Sequence, residues 1–296
     1  MKRRNKILIG LIFFIGISIY VITQHVLPYA ILHPQRVNSE NHLDSNNIPY
    51  EVVNLKSFDG INLTGYRVTS LADSTRASII LVHGIGGCKE HFTSLAISLA
   101  ELGFESWIFD NRAHGKSEGK FSTYGYLEKK DISIIIDEIK KVRQDAKVGI
   151  WGNSLGGAIA LQAMEYDKRL NFGVIESTFT DLRQIVYDYQ ARYFFGIGLK
   201  WICDLTLDKA SELTDFNPDK VKPLESVKYI NQPVLIAHGN ADKNISFEYG
   251  KALFSNLASK EKEFVAVEGG GHYGLFNTGG ENYATKLFNF LLKKSE

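Results

Sequence analysis

Cysteine is scarce in this chain: Cys88 and Cys203 are the only two among 296 residues. Two cysteines cannot build a disulfide framework, so two thiols are expected. No Cys/His cluster has metal-ligand spacing, and there is neither a G-x-G-x-x-G run nor a P-loop. No cofactor is therefore expected, metal or nucleotide. The formal charge is only +1 and no basic stripe with interleaved aromatics occurs, which leaves no case for nucleic-acid binding. A hydrophobic share of 44% with 23% charged residues is ordinary globular composition, enough for one large or two small domains.

A cleavage signal is missing too. Met1–Lys6 is basic, and Ile7–Leu27 is an almost uninterrupted apolar run, mildly broken by Ser18, Thr23, Gln24 and His25. At about 1.5 Å per residue such a run crosses a hydrocarbon core of about 30 Å. No small-x-small site follows it, so an uncleaved single-pass membrane anchor is expected rather than a signal peptide. The run is apolar all round, which argues against an amphipathic helix lying on the surface. The reading is residues 1–6 cytoplasmic, 7–27 transmembrane, 28–49 a polar, asparagine-rich linker, and 50–296 a domain on the far side of the cell membrane. The sequons at Asn62 and Asn244 fit a cell envelope better than a glycosylating lumen, because a glycan at Asn244 would crowd Asp242.

From Tyr50 the pattern becomes that of an α/β protein. Strands at Tyr50–Lys56 and Ile61–Val68 flank Phe58-Asp59-Gly60, an Asp-Gly hairpin signal. Apolar strand-like runs then alternate with helical segments. In the segment Leu127–Arg143, Ile132, Ile135, Ile136 and Ile139 hold the i, i+3, i+4, i+7 face. This predicts a mostly parallel sheet with helices on both faces. The stretch from about 180 to 230 lacks a clear strand and is long enough for two or three helices.

Four punctuated strand ends carry the chemistry. Gly152-Asn153-Ser154-Leu155-Gly156 lies between an apolar run and a helical segment. Flanking glycines let a serine sit on a turn too tight for Cβ atoms two positions away. Upstream, the run Ala77–Val82 ends in His83-Gly84-Ile85-Gly86-Gly87. Downstream, Pro233–Gly239 runs into Asn240-Ala241-Asp242, and Lys262–Val267 leads to Gly269-Gly270-Gly271-His272. A histidine on a glycine-rich loop could reach between Ser154 and Asp242, taking and returning the serine proton. His83 reads as a brace of its loop and His238 as a loop-packing residue. Asp110 and Arg112, in the segment Asp110–Gly119, read as a paired turn. Asp204, Asp208 and Asp219 read as solvated or capping.

Together these motifs resemble the α/β-hydrolases, in particular the serine-aminopeptidase, monoacylglycerol-lipase and dienelactone-hydrolase-like group. The resemblance rests on His83–Gly87, Asp110–Gly119, the serine turn, His238-Gly239-x-x-Asp242 and Gly271-His272, and covers about 52–292. Ala113 departs from the glycine usual there. The resemblance implies an eight-stranded, mostly parallel sheet with a helical lid at about 180–230. It implies a triad of Ser154 (nucleophile), His272 (base, then acid) and Asp242, with the amides of Ile85 and Leu155 as oxyanion hole. In the lid, Tyr187, Tyr193, Phe194 and Trp201, with Tyr189 and Phe195 near them, either form an apolar wall for a substrate or pack on the sheet. The expected reaction is hydrolysis of a small-molecule ester, thioester or amide, possible substrates including a lipid or acyl-peptide, through an acyl-enzyme. An acyltransferase or serine peptidase would use the same triad, and a non-catalytic binding module would not need it.

Overall fold

The computed structural model describes residues 3–194, 196–214 and 216–296; Phe195 and the first two residues of the basic flank lie outside them. Strands β1 (Tyr50–Lys56), β2 (Asn62–Val68), β3 (Ser78–Val82), β4 (Glu105–Phe109), β5 (Val148–Asn153), β6 (Leu170–Glu176), β7 (Val234–Gly239) and β8 (Lys262–Val267) join in one sheet. The spatial order is β1-β2-β4-β3-β5-β6-β7-β8. The Asp-Gly turn closes β1 on β2 antiparallel, Lys56 facing Asn62, and β2 meets β4 antiparallel. From β4 onward every pairing is parallel. Strands β3, β4 and β7 are buried along their whole length, which explains the apolar runs Ile79–Val82 and Val234–Ala237.

The helices are α1 (Arg3–Val21), α2 (Leu27–Leu32), α3 (His42–Ser45), α4 (Thr93–Glu101), α5 (Glu128–Val142), α6 (Leu155–Tyr166), α7 (Leu182–Tyr193), α8 (Lys200–Thr214), α9 (Pro223–Ser226), α10 (Phe247–Asn256) and α11 (Leu275–Ser295). One sheet face is covered by α5, α6 and α10, the other by α4 and α11. The isoleucine stripe of α5 lies in the first of these cores, with Ile136 and Ile139 fully buried. Truncating either to alanine costs about 2–5 kcal/mol. Helix α5 also begins with Glu128 and Asp131 and ends with Lys140 and Lys141, matching its dipole. Helix α11 is two helices joined across Gly280, whose φ is 57°.

Helices α7 and α8 fill the interval after β6 and pack on Ala158 of α6 through Phe179, Leu182, Ile185, Leu207 and Ala210. Asp204, Asp208 and Asp219 are not merely solvated: all three converge on the Arg183 guanidinium at 3.2, 2.7 and 2.7 Å. Arginine offers donors on several edges, so one side chain staples α7 to α8 and to the turn after it.

The segment read as a linker is docked instead. The apolar helix runs from Arg3 to Leu32, passing through one π turn at Ile22–Val26, and is long and apolar enough to cross a membrane. Its last turns pack on α8, and Leu32 is fully buried in the lid core. Pro28 is tolerated because it falls in the first turn after the π bulge. The carbonyls of Ile31 and Leu32 accept from Tyr124 Oη (2.8 Å) and the Ser122 amide (2.9 Å). Arg36 then donates to the carbonyls of His114, Gly115, Ser117 and Gly119 at 2.6–3.2 Å. A short polar stretch looks like a tether in sequence; four carbonyls of one distant loop fix it here.

Candidate active site

Parallel strands aim all their C-terminal ends at one edge, so residues distant in sequence meet there. Ser154 follows β5 and precedes α6, with φ 52° and ψ −119°. That is an unfavourable backbone for a side chain bearing Cβ, held because the Ser154 amide donates to the Glu176 carbonyl (2.9 Å) and Thr178 Oγ1 donates to the Ser154 carbonyl (2.7 Å). A Cβ on Gly152 would lie 2.2 Å from the Gly156 carbonyl oxygen, so the turn admits no larger residue.

His272 Nε2 lies 3.0 Å from Ser154 Oγ, and its Nδ1 lies 2.8 Å from Asp242 Oδ2. An ionised carboxylate only accepts, so Nδ1 carries the proton and Nε2 is free to accept from the serine hydroxyl. The His272 and Asp242 side chains are 3% and 0% exposed, which leaves water little room to compete. Asp242 Oδ1 accepts from the amides of Asn244 (2.7 Å) and Ile245 (2.9 Å). Burial alone would raise the Asp242 carboxyl; hydrogen bonds from His238, His272 and the Ile245 amide outweigh it and hold the group well below the usual carboxylate range. The amides of Ile85, in the loop after β3, and Leu155, in the first turn of α6, donate to no other group among the described residues.

Two histidines brace this edge. His83 Nδ1–H donates to the Gly84 carbonyl (2.8 Å), and Nε2 accepts from the Asn111 amide (3.0 Å). Burial, reinforced by nearby His114, pushes its pKa down to about 3, so the bridge is a neutral imidazole. His238 does more than pack. Its Nε2 lies 3.1 Å from the Ile245 carbonyl and 3.3 Å from Asp242 Oδ2, on a fully buried ring. Both neighbours are acceptors, so one N–H is shared between them. The only hint in the sequence was the spacing of four between His238 and Asp242 at a strand end.

The Asp110–Gly119 segment is wired differently from the sequence reading. Asp110 and Arg112 do not pair with each other. Asp110 takes the Lys89 amide (2.7 Å), Lys89 Nζ (2.8 Å) and the Lys116 amide (2.8 Å). Arg112 forks onto Asp131 at 2.7 Å twice and reaches Asp59 at 2.9 Å. Each finds its partner on a different element, Lys89 just before α4 for Asp110 and Asp131 of α5 for Arg112. Ala113 has φ 63°, the conformation that makes glycine the usual residue there.

A cavity of about 470 Å³ opens beside His272, between α4 and α11. None of the lid aromatics expected to bind substrate lines it. Tyr193, Phe194 and Trp201 are 75%, 62% and 49% exposed at the lid tip. The Tyr187 ring instead packs under the turn at Gly198. Composition marked these residues as apolar, but only the fold decides which way a lid helix faces. Arg192, unremarked in the sequence, donates from one nitrogen to the Lys243 carbonyl (2.8 Å) and Asn244 Oδ1 (2.9 Å), clamping α7 beside the Asp242 loop.

A parallel sheet with an antiparallel hairpin at one edge, a strained serine after its fifth strand, and a histidine and an aspartate delivered by the last two strands define an α/β-hydrolase. Comparison with known proteins supports that fold. A family profile described as serine aminopeptidase, S33, matches residues 73–202. YfhR of Escherichia coli K12, an uncharacterized protein, is 24% identical over 98% of this chain and 95% of its own length. The lysophosphatidylserine lipase ABHD12 of Xenopus tropicalis is 31% identical over 61% of this chain, but the match spans only 46% of that lipase. Among solved structures, the Pyrococcus furiosus esterase Pf2001 superposes with a TM-score of 0.74 at 20% identity, over 89% of this chain and 100% of the other. A monoacylglycerol lipase of Paleococcus ferrophilus gives a TM-score of 0.59 at 21% identity, over 78% and 99%. The chain is an α/β-hydrolase-fold enzyme.

Proposed function

We propose that the protein is a membrane-anchored serine esterase acting on carboxylic esters of lipid-like character. The observation that carries this reading is the unbroken relay from Asp242 through His272 to Ser154 Oγ. Ser154 attacks the ester carbonyl as His272 Nε2 takes its proton; Asp242 fixes the imidazole and stabilises its charged form. The amides of Ile85 and Leu155 receive the developing oxyanion, each such donor being worth about 3 kcal/mol. Protonation of the departing alkoxide by His272 leaves an acyl-Ser154, which water then resolves.

The ester class is supported by the lipase and esterase relatives and by the lid. The lid tip exposes Tyr193, Phe194, Ile197, Leu199 and Trp201, and α8 packs against the end of the apolar N-terminal helix. No residue of α1 is buried, and its basic start, with Arg3, Arg4 and Lys6, belongs on the cytoplasmic side. The anchor thereby holds the lid and its aromatic tip at the far membrane interface, where aromatic rings are favoured. A fluorophosphonate probe should label the wild type and not Ser154→Ala, with parallel loss of p-nitrophenyl butyrate hydrolysis. Labelling that survives Ser154→Ala would sink the reading. Externally added protease should degrade the domain in intact spheroplasts; protection of the domain would reverse the orientation.

A further inference from the structure

Asp242 has more donors than a relay needs. Its Oδ1 accepts from the amides of Asn244 and Ile245, and its Oδ2 accepts from His272 Nδ1–H at 2.8 Å. His238 Nε2 reaches the same Oδ2 at 3.3 Å and the Ile245 carbonyl at 3.1 Å. The His238 ring is fully buried and has no room to turn away. A Cβ on Gly250 of α10 would lie 2.7 Å from His238 Nδ1 and 3.0 Å from its Cβ, so the helix lies directly against the imidazole. Phe247 meets the same ring edge-on, with centroids 5.9 Å apart. His238 Nδ1 has no hydrogen-bond partner among the described residues, whereas Nε2 has two acceptors, so the proton belongs on Nε2. For packing alone, an apolar side chain would avoid the cost of burying an unpartnered ring nitrogen.

We propose that His238 is a positioning residue for the reaction: its Nε2–H holds Asp242 Oδ2 in place for His272 and tempers the grip of the carboxylate on the imidazolium. This rests on the catalytic reading above. A carboxylate oxygen that already accepts a second N–H attracts the first one less. The charged form of His272 is then favoured less than by a bare Asp242–His272 pair, so the free base persists to lower pH. His238 acts through Asp242 and bonds to neither Ser154 nor His272. The other ionisable groups facing the carboxylate are Tyr273 after β8, Lys243 in its own loop, and Tyr189 and Arg192 of α7. Around them, Glu268 takes Asn240, Asp188 of α7 takes Tyr249 of α10, and Lys251 of α10 lies over the Phe247 ring. Carboxylate, tyrosine, lysine and arginine side chains ordinarily keep one charge state from about pH 5 to 8, so among these types only a histidine changes charge there.

The test is the pH dependence of kcat/KM on p-nitrophenyl butyrate, whose acid limb reports protonation of the general base. His238→Gln keeps a donor where Nε2 stands. His238→Met has nearly the shape of that glutamine without the donor, and His238→Leu is a second donor-free variant. With the N–H gone, Asp242 holds the imidazolium more tightly. The acid limb of His238→Met and His238→Leu should therefore move up by about 1 pH unit, the size expected of one hydrogen bond to a charged group. His238→Gln should stay within about 0.2 unit of wild type, its amide restoring that bond. A purely structural role would lower kcat in all three variants alike and leave the limb in place. An acid limb that is unmoved or lowered in the donor-free variants, or that rises equally in His238→Gln, would overturn the assignment. Fluorophosphonate labelling keeps the two ideas apart: a labelled wild type with an unmoved limb in the variants refutes the role of His238 alone, whereas an unlabelled wild type refutes the catalytic reading.

Discussion

Replacing Gly156 by alanine should damage catalysis through the backbone alone. A Cβ built there would sit 1.9 Å from the Val82 carbonyl oxygen, 2.6 Å from its carbon and 2.9 Å from the His83 oxygen. Real Cβ contacts stay beyond 3.0 Å, so α6 and β3 must separate by about 1 Å. Val82 cannot yield, because β3 is paired on both sides, with Phe109 of β4 and Gly152 of β5. The start of α6 must move instead, carrying the Leu155 amide and Ser154 away from the Ile85 loop and His272. Overpacking of this kind costs about 1–3 kcal/mol of stability. A displacement of about 1 Å at a reacting group costs about a hundredfold in rate. The expected outcome is a folded protein whose urea midpoint falls and whose kcat on p-nitrophenyl butyrate drops about a hundredfold, with an equal fall in the rate of fluorophosphonate labelling. Gly271→Ala is the control: nothing lies within 4 Å of its Cβ. A Gly156→Ala protein with kcat within threefold of wild type and an unchanged midpoint would show that the packing of α6 on β3 does not set the site.

Four further outcomes are expected. Asp242→Asn should keep the fold but lower kcat by about four orders of magnitude, because the amide no longer fixes the His272 tautomer. The same variant tests a pH effect: the native Asp242 carboxyl is held low, so the unfolded chain binds more protons below about pH 4. The stability it contributes is present above that pH and lost as pH falls below it, and urea midpoints between about pH 4 and 2 should drop more for the wild type than for Asp242→Asn. Ala113→Gly should raise stability by about 1 kcal/mol by relieving the positive φ, and a lower urea midpoint would refute the strain argument. Arg112→Ala leaves Asp131 buried without its partner and should cost about 3–5 kcal/mol, a loss that Arg112→Ala with Asp131→Ala should partly recover.

Much of the molecule was legible along the chain. The boundaries of β1 and β8 follow directly from turn glycines and strand runs, since these depend on short-range sterics and on which face a residue shows the core. Ser154, Asp242 and His272 were readable for the same reason: each follows a strand, and a parallel sheet brings all such ends to one edge. What the chain order alone could not decide was long-range pairing. Asp110 faces Lys89 rather than Arg112, His238 shares its proton with Asp242, and Arg36 binds a loop about eighty residues away, because charged and polar side chains take whatever partner the tertiary fold brings within about 3 Å. The direction of the lid aromatics was likewise undetermined, since exposure depends on how α7 and α8 dock on α6. Local physics drew the elements and the chemistry at their ends; packing between distant segments decided which side chains those ends would meet and which way the lid would face.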